Sequence, residues 1–286
     1  MKTTERAIED FYSQLWQYYQ EHGRQLPWRP PRLAFLIDGT LDPYPIMVSE
    51  IMLQQTGVAR VTAKYQEFLE VFPTFQALAA AKLSEVLIVW SGLGYNRRAK
   101  FLHQAAQKVV DHYQGRIPRT PKDLVSLPGI GPNTAGAILA YTFNEPCIFI
   151  ETNIRTVYIH HFYAEHPEVT DAQIAELLKQ TLAIEARQPE PNYRELYWAL
   201  MDYGSYLKKE VGSLLHQSKA YTKQSVFEGS RRQIRGKILK LLALQHLTAA
   251  QLADSIIDDR LEAVLVDLLQ ENLIEKAKGY YSLPQS

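Results

Sequence analysis

The chain has 286 residues, 46% of them hydrophobic, and its 31 basic and 31 acidic residues give no formal net charge. This length and hydrophobic fraction predict two or three units with a buried core, while no apolar run is long enough to cross a membrane and the charged N-terminus lacks a signal-peptide pattern. The single cysteine, Cys147, excludes an internal disulfide and is typical of a reducing compartment, so we expect a cytoplasmic protein without a membrane partner.

Apolar residues recur at helical spacing along nearly the whole chain, whereas the alternation typical of strands is scarce, so we predict an all-α fold. The first helix covers 4–22 and ends at Gly23, a residue type favoured just beyond helix ends. A proline-rich connection follows at 26–31 and 38–45, and helices then occupy most of 46–140.

A single carboxylate stands in the segment Ser49-Glu-Ile-Met-Leu-Gln-Gln-Thr56, which is otherwise apolar and amide-rich. Burial there would raise the pKa of Glu50 toward that of a useful general acid. Taken alone, however, such a glutamate is more often a solvated helix residue than a catalyst.

Two glycines flank one apolar residue in Leu127-Pro-Gly-Ile-Gly131, directly before the helix-forming run 134–140. Glycine tolerates positive φ and close approach of foreign backbone, so such a turn can aim several N–H groups at one anion, and the next helix adds the positive end of its dipole. A phosphate grip on nucleic acid is one natural use, and a plain helix-to-helix connector is an equally good interpretation.

Glu151 and Asn153 lie a short way past this turn, as polar side chains between two apolar runs. Their presence favours a functional site over a plain connector.

Beyond Val226 the sequence predicts three further helices and a hairpin. A basic amphipathic helix covers 231–244, a capping-box pattern at 248–251 opens the second helix, and the third covers 259–271. The segment 273–283 resembles a short hairpin. This combination is typical of a winged helix, which serves as a DNA contact or a dimer surface, and we favour DNA contact.

Three segments, 42–56, 89–106 and 127–139, carry a resemblance that extends from about residue 5 to residue 204. In them the chain resembles the helix-hairpin-helix (HhH-GPD) DNA glycosylase superfamily, and within it the MutY-type adenine DNA glycosylases. The resemblance implies a two-domain helix-hairpin-helix fold, here followed by the winged-helix-like segment.

The domain division implied by the resemblance has three parts. A helical domain comprises 1–32 and 145–225, a six-helix barrel domain that contains the hairpin comprises 33–144, and a winged-helix-like domain comprises 226–286.

Two features of most relatives are missing from this chain. They carry four cysteines after the segment that corresponds to 199–204, and these bind a [4Fe–4S] cluster. No cysteine stands there in this chain, so thiolate ligation of an iron–sulfur cluster is impossible and 205–225 must hold its shape by packing alone. The C-terminal tail is short and helical, so we expect no counterpart of the domain that recognises 8-oxoguanine in relatives, and we expect opposite-base recognition to come from the core or the winged-helix-like segment.

The resemblance makes Glu50 the acid that protonates adenine N7, and Glu151, with Asn153 beside it, the carboxylate that stabilises the sugar cation. Superfamily members nearly always carry aspartate at the second position, whereas this chain reads Glu151-Thr-Asn-Ile154. The longer side chain keeps the charge but shifts it. Three interpretations of Glu151 stay open. Glu151 does the same work in a readjusted cleft, which we favour, or it suits another substrate. In the third interpretation the protein is a slow or inactive enzyme that mainly binds lesions.

DNA contacts are also implied. Gln54 and Tyr95 match positions near the lesion, one as a wedge and one against the opposite strand, although a core aromatic is a serious rival interpretation of Tyr95. The predicted DNA-binding residues are Gln54, Gln55, Tyr95, Arg97, Leu127, Gly129, Ile130, Gly131 and Thr134. Because the net charge is zero, basic residues must be concentrated on one face. The candidates are Arg97, Arg98, Lys100, Lys208, Lys209, Arg231, Arg232, Arg235 and Lys237.

Asn133 stands where bifunctional relatives carry a lysine that forms a Schiff base with the sugar. We therefore expect a monofunctional glycosylase without lyase activity, and a helix N-cap is the alternative role of Asn133. The reaction requires no metal and no other cofactor. In relatives the hairpin carbonyls often hold a monovalent cation, for which Leu127, Gly129 and Ile130 or Gly131 are the candidates here.

The predicted function is removal of adenine mispaired with 8-oxoguanine or guanine, by a monomer associated with the bacterial nucleoid whose partner is mispaired or damaged double-stranded DNA. Two alternatives stay open: a glycosylase for thymine or a modified pyrimidine, and a non-catalytic binder of distorted or abasic DNA. Thymine has no N7, so Glu50 would then have little to protonate.

Overall fold

The computed structural model describes residues 4–30, 39–220 and 226–284. Within them the chain forms fourteen α-helices, one 3-10 helix and three short strands, which confirms the predicted all-α class. The helices are α1 (Glu5–His22), α2 (Pro43–Leu53), α3 (Val58–Val71), α4 (Phe75–Ala80), α5 (Leu83–Trp90), α6 (Arg97–Tyr113), α7 (Pro121–Val125), α8 (Pro132–Phe143), α9 (Thr152–Phe162), α10 (Asp171–Glu185), α11 (Tyr193–Glu210), α12 (Arg231–Leu242), α13 (Ala249–Ser255) and α14 (Leu261–Gln270). The strands are β1 (Leu247–Thr248), β2 (Glu275–Ala277) and β3 (Tyr280–Ser282), and the 3-10 helix covers Leu215–Gln217.

The first helix lies at the predicted place. Thr4 caps α1 by accepting a hydrogen bond from the main-chain N–H three residues on, and Gly23 follows the last turn. Residues 31–38 of the proline-rich connection lie outside the described residues. After them α2 begins at Pro43, before the predicted start at Ile46. Prolines are tolerated in a first helical turn because those N–H groups have no acceptor within the helix.

One compact unit contains the described residues of Met1–Ile46 and Gly131–Lys223. Helix α11 packs against α9, α1 and α8, and α10 packs against α1 and α9. Buried side chains of this core include Leu15, Ile154, Tyr158, Leu178 and Leu200. The buried Asp202 carboxylate of α11 accepts from the guanidinium groups of Arg24 and Arg29 at 2.7 and 2.8 Å, which ties the chain after α1 to α11.

The stretch 205–225 was predicted to hold its shape by packing alone, and residues 221–225 lie outside the described residues. In the described part, the Val169 N–H donates to the Gln217 carbonyl (2.7 Å) and the Lys219 N–H donates to the Val169 carbonyl (3.1 Å). The Lys219 ammonium also lies 2.9 Å from a Glu168 carboxylate oxygen. The packing-alone prediction is therefore wrong, since main-chain hydrogen bonds and an ion pair also hold this stretch.

The second compact unit contains the described residues of Met47–Ile130 and Gln224–Ser286. In its first part α4 and α5 pack on α6. Its second part runs α12–β1–α13–α14–β2–β3 and includes an antiparallel sheet of order β1-β3-β2, in which Tyr281 lies opposite both Leu247 and Lys276. The predicted three helices and hairpin are thus present, although a winged-helix use of this segment stays a prediction.

These two units do not coincide with the predicted division into 1–32 with 145–225, 33–144 and 226–286. Helix α8 lies in the first unit, and the C-terminal segment lies in the same unit as α3 to α7. The three-part division stays a prediction about domains. In the described part of the chain, no helix combines the length and apolar character needed to span a bilayer.

Candidate functional site

Glu50 lies near the end of α2 and is the one charged residue of that helix. Its neighbours Ser49 and Ile51 are fully buried, while Glu50 itself is half-buried. Glu50 therefore lies at the edge of a buried stretch of chain and keeps part of its surface exposed.

Gln54 and Gln55 follow the last residue of α2. The side-chain Nε2 of Gln54 donates to the carbonyl oxygen of Gly129 at 3.2 Å, so this structure brings the end of α2 and the glycine-containing turn together. Gln55 is exposed and has a φ of +57°, a left-handed conformation uncommon for a residue with a Cβ. A left-handed residue just beyond the end of a helix is a common way for the helix to terminate.

Arg98, a candidate for an exposed basic face, is a buried residue that holds main-chain oxygens. Its guanidinium donates to the carbonyls of Ile51, Met52 and Gln54 at 2.8, 2.8 and 2.6 Å, and to that of Gly94 at 3.1 Å. Burial lowers the pKa of Arg98 to about 10, so the group stays a cation at neutral pH. The DNA-face interpretation of Arg98 is therefore wrong: this residue binds the last carbonyls of the helix that carries Glu50.

Tyr95 is half-buried and has a φ of +47°. The guanidinium carbons of Arg98 and Arg232 lie over its ring, at 5.4 and 5.1 Å from the ring centroid. Arg232 also donates a hydrogen bond to the Tyr95 hydroxyl. Tyr95 is therefore not a fully buried core aromatic, and its contact with DNA stays a prediction.

The buried side chains of Leu127 and Ile130 anchor the turn 127–131. Gly129 has a φ of +78°, and a Cβ there would lie 2.8 Å from the Cβ of Phe101. Gly131 is the N-cap of α8, has extended backbone and faces open space. Since the side chains of Leu127 and Ile130 are inside the protein, their predicted DNA contacts are limited to the main chain.

Asn133 is not the N-cap that its local sequence suggested. Gly131 holds that place, and Asn133 lies two residues into the helix. The Asn133 amide instead pairs with the main chain of Ile150, with Nδ2 donating to the carbonyl at 3.1 Å and Oδ1 accepting from the N–H at 3.4 Å. This pair fixes the residue directly before Glu151.

Glu151 is the N-cap of α9 and is half-buried. Among the described residues its carboxylate has no hydrogen-bond partner. Burial raises the pKa of the Glu151 carboxyl, and the nearby Arg155 cation opposes the rise. Arg155 in turn is held by Asp171 through two hydrogen bonds of 2.7 Å. A partly desolvated carboxylate of this kind is typical of catalytic sites.

Asn153 and α11 fix the first turn of α9. The Nδ2 of Asn153 donates to the carbonyl of Met201 at 3.1 Å. Gly204 lets the two helices approach closely, because a Cβ there would lie only 2.2 Å from the carbonyl oxygen of Asn153. Asn153 thus serves to position the chain beside Glu151.

Several of the candidate basic residues are bound by carboxylates or carbonyls of their own unit. The guanidinium of Arg231 lies 2.6 Å from Asp267, and that of Arg235 pairs with Glu271. Lys100 donates to the Glu271 carbonyl at 2.6 Å. Arg97 is exposed, stacks on the ring of Phe101 at 5.5 Å and lies 3.9 Å from the Glu271 carboxylate. Contacts within the unit thus engage these four candidates, and the concentration of basic residues on one DNA-binding face stays a prediction.

No three His, Cys, Asp or Glu side chains within the described ranges lie close enough together to hold a metal ion. Three main-chain oxygens of the proposed cation site accept hydrogen bonds from the protein: that of Leu127 from the Ile130 N–H, that of Gly129 from Gln54, and that of Gly131 from the Ala135 N–H. The monovalent cation stays a prediction.

A family of known proteins matches this sequence. The model of the HhH-GPD superfamily base excision DNA repair protein matches residues 48–187. The adenine DNA glycosylase of Mycobacterium tuberculosis is 30% identical to the chain, over 99% of this chain and 95% of that protein. The chain belongs to the HhH-GPD superfamily. A second HhH-GPD relative, the adenine DNA glycosylase of Mycolicibacterium smegmatis, is 32% identical over 94% of each chain.

Solved structures share the HhH-GPD fold. A thermostable thymine-DNA glycosylase matches with a TM-score of 0.57 and 24% identity, over 70% of this chain and 87% of that one. A trapped endonuclease III–DNA covalent intermediate matches with a TM-score of 0.55 and 19% identity, over 71% of this chain and 87% of that one. At these identities the likeness concerns the fold.

Sequence reasoning missed Arg155 and the positioning roles of Arg98, Asn133 and Gly204 in this superfamily member. For Arg98 a usable pattern existed, because it shares a face of α6 with buried residues at helical spacing. Those residues are Leu102, Ala105 and Val109.

Proposed function

We propose that this HhH-GPD protein, a base excision repair DNA glycosylase that acts on adenine, is monofunctional and removes adenine mispaired with 8-oxoguanine or guanine. The observation that carries the proposal is the match to adenine DNA glycosylases over nearly the full length of both chains, which includes the segments of Glu50 and Glu151. A β-elimination step needs an amine, and Asn133 supplies an amide instead.

The chemistry requires a base that has left the duplex. Extrusion of the target nucleotide costs a few kcal/mol, which contacts to the remaining duplex must offset. Gln54 and Gln55 directly follow the last residue of α2 and would make such contacts. The hydrogen bond from the Gln54 amide to the Gly129 carbonyl joins two neutral groups, and a bond of this kind can be exchanged for a contact with DNA.

Cleavage then needs a protonated leaving base and a stabilised sugar cation. Glu50 donates the proton to adenine N7, so that the departing base carries no negative charge. Glu151 supplies the negative charge that faces the oxocarbenium-like sugar. Its lack of a hydrogen-bond partner among the described residues leaves the carboxylate available to the substrate, while Arg155 favours its ionised form.

DNA is held in this proposal by the turn around Gly129 and Gly131 and by the first turn of α8, where the helix dipole favours a phosphate. We also keep as predictions that the protein is monomeric, cytoplasmic and associated with the nucleoid.

The decisive experiment is single-turnover base excision with alkali to reveal abasic sites. Duplexes carry adenine opposite 8-oxoguanine, guanine, cytosine or thymine, and thymine or uracil opposite guanine. We expect adenine release from the first two duplexes, and a loss of at least about a hundredfold in Glu50→Gln and in Glu151→Gln with DNA binding retained. Glu176→Gln, an exposed carboxylate of α10, is the matched control.

Release of thymine or uracil but not of adenine would show that the enzyme is specific for another base. If no base is released from any duplex and tight binding is kept, the proposed glycosylase activity is refuted and a binder of distorted DNA is supported.

The phosphate grip has its own test in Gly131→Ala. An alanine fits this position without strain in the free protein, since the backbone is extended and no atom lies within 4 Å of the added Cβ. A loss of DNA affinity with a shallower salt dependence therefore reports the approach of a phosphate. Gly57→Ala is the control, because Gly57 is also a helix N-cap with open space around it. Equal affinities of the two variants would argue against the grip.

A further inference from the structure

The C-terminal segment places an arginine against the turn that contains Tyr95. Arg232, in the first turn of α12, donates to the Tyr95 hydroxyl, and its guanidinium carbon lies 5.1 Å from the Tyr95 ring centroid and 5.9 Å from that of Phe227. Tyr95 is half-buried and Phe227 is 55% exposed. One cation thus lies over two aromatic rings at the surface of a single unit.

Its neighbours on the same helix make a different kind of contact. Arg231 lies 2.6 Å from the Asp267 carboxylate, and Arg235 pairs with the carboxylate of Glu271. These ion pairs attach α12 to α14. The Arg232 guanidinium lies beside two aromatic rings, and a nucleobase can stack on rings of this kind.

Direct contacts connect this cluster with the predicted DNA-binding residues of the same unit. Gln54 donates to the carbonyl of Gly129 in the glycine-containing turn. Arg98 joins the Gln54 carbonyl to that of Gly94, the residue before Tyr95. A duplex that lies on Gly129 and Gln54 therefore lies beside Tyr95 and Arg232 as well.

We propose that Arg232, supported by Tyr95, contacts the base opposite the target adenine and favours guanine or 8-oxoguanine over cytosine through the O6 oxygen of the purine. This inference rests on the proposed function. A guanidinium carries five N–H donors and no acceptor, so it favours guanine O6, which 8-oxoguanine retains. Cytosine presents an amino donor at its corresponding edge and gains nothing from the contact. The C-terminal segment would thus contribute to recognition of the opposite base.

The test compares adenine excision opposite guanine with excision opposite cytosine. The quantity compared is the single-turnover rate divided by Kd, taken as the ratio of its value for the guanine duplex to its value for the cytosine duplex. We expect Arg232→Gln to lower this ratio by about tenfold, since one good arginine–guanine pair discriminates to that degree. Arg232→Lys keeps the charge but loses the planar fork, and should lower the ratio as well. Arg231→Gln, from the same helix, should keep the wild-type ratio.

Two outcomes would overturn the proposal. Equal losses on both duplexes with a shallower salt dependence would assign Arg232 to a phosphate, and a lower Tm with an unchanged ratio would make it a brace for the C-terminal segment. If Arg232→Gln does not fold, Tyr95→Phe removes only the hydroxyl that holds the guanidinium; it should lower the ratio, and an unchanged ratio counts against the proposal. If the wild type releases no adenine, the proposed function has failed, and the ratio of Kd values for the two duplexes still tests Arg232.

Discussion

Gly204 of α11 is the position at which a single methyl group should disturb the candidate site. The Cβ of an alanine there would lie 2.2 Å from the carbonyl oxygen of Asn153 and 2.8 Å from the Asn153 Cβ. Ordinary contact begins near 3.4 Å. The first turn of α9 must therefore move away from α11 by about an ångström, and Glu151 is the N-cap of that turn.

Two effects on stability oppose each other in Gly204→Ala. Alanine has the higher helix propensity, which favours the variant by about 1 kcal/mol. Overpacking costs about 1–3 kcal/mol, and here the obstacle is main chain, which cannot rotate aside. We expect a net loss of about 1 kcal/mol in the free energy of unfolding. Catalysis is more sensitive, since a misplacement of about 1 Å can reduce a rate by about a hundredfold.

The assay pairs urea unfolding with single-turnover excision of adenine. Gly236→Ala is the matched control, because Gly236 is also a glycine within a helix but has open space around its added Cβ. The control should be at least as stable and as active as the wild type. If Gly204→Ala matched the control in both measurements, the close approach of α11 to α9 would have no role in placing Glu151.

Three further predictions concern the residues around the two carboxylates. Burial raises the pKa of Glu151, so ionisation of this carboxyl opposes folding. Glu151→Gln should therefore be more stable than the wild type at pH 8 and equally stable at about pH 3.5, where the carboxyl is protonated in the folded and the unfolded protein. Urea unfolding measured against pH checks this. Arg98→Lys leaves buried carbonyls of α2 unpaired and should lower the free energy of unfolding by at least about 2 kcal/mol, whereas Arg97→Lys, at an exposed neighbour, should change it little. Asn133→Leu removes both hydrogen bonds to Ile150 and should reduce kcat more than DNA affinity, while equal effects on the two would contradict a positioning role.

Much of the local structure was predictable from the sequence. The apolar spacing of α1, the capping box at Thr248 and the glycine pattern before α8 each lie within a few residues of chain, and the structure has elements at these places. The half-buried state of Glu50 was also foreseeable, because its helix is otherwise apolar. The resemblance to a family then placed both carboxylates on the candidate list, although their roles stay proposals.

The partners of polar side chains were not predictable in this way. Asn133 pairs with a residue 17 positions away, Arg98 with one 47 positions away, and Arg232 with one 137 positions away. Two adjacent arginines, Arg97 and Arg98, look alike in the sequence, yet one is exposed and the other holds the end of α2. Local sequence determines helix ends and turns because their hydrogen bonds close within a few residues. Long-range hydrogen bonds and ion pairs depend on which surfaces meet, and only packing of the whole chain decides that.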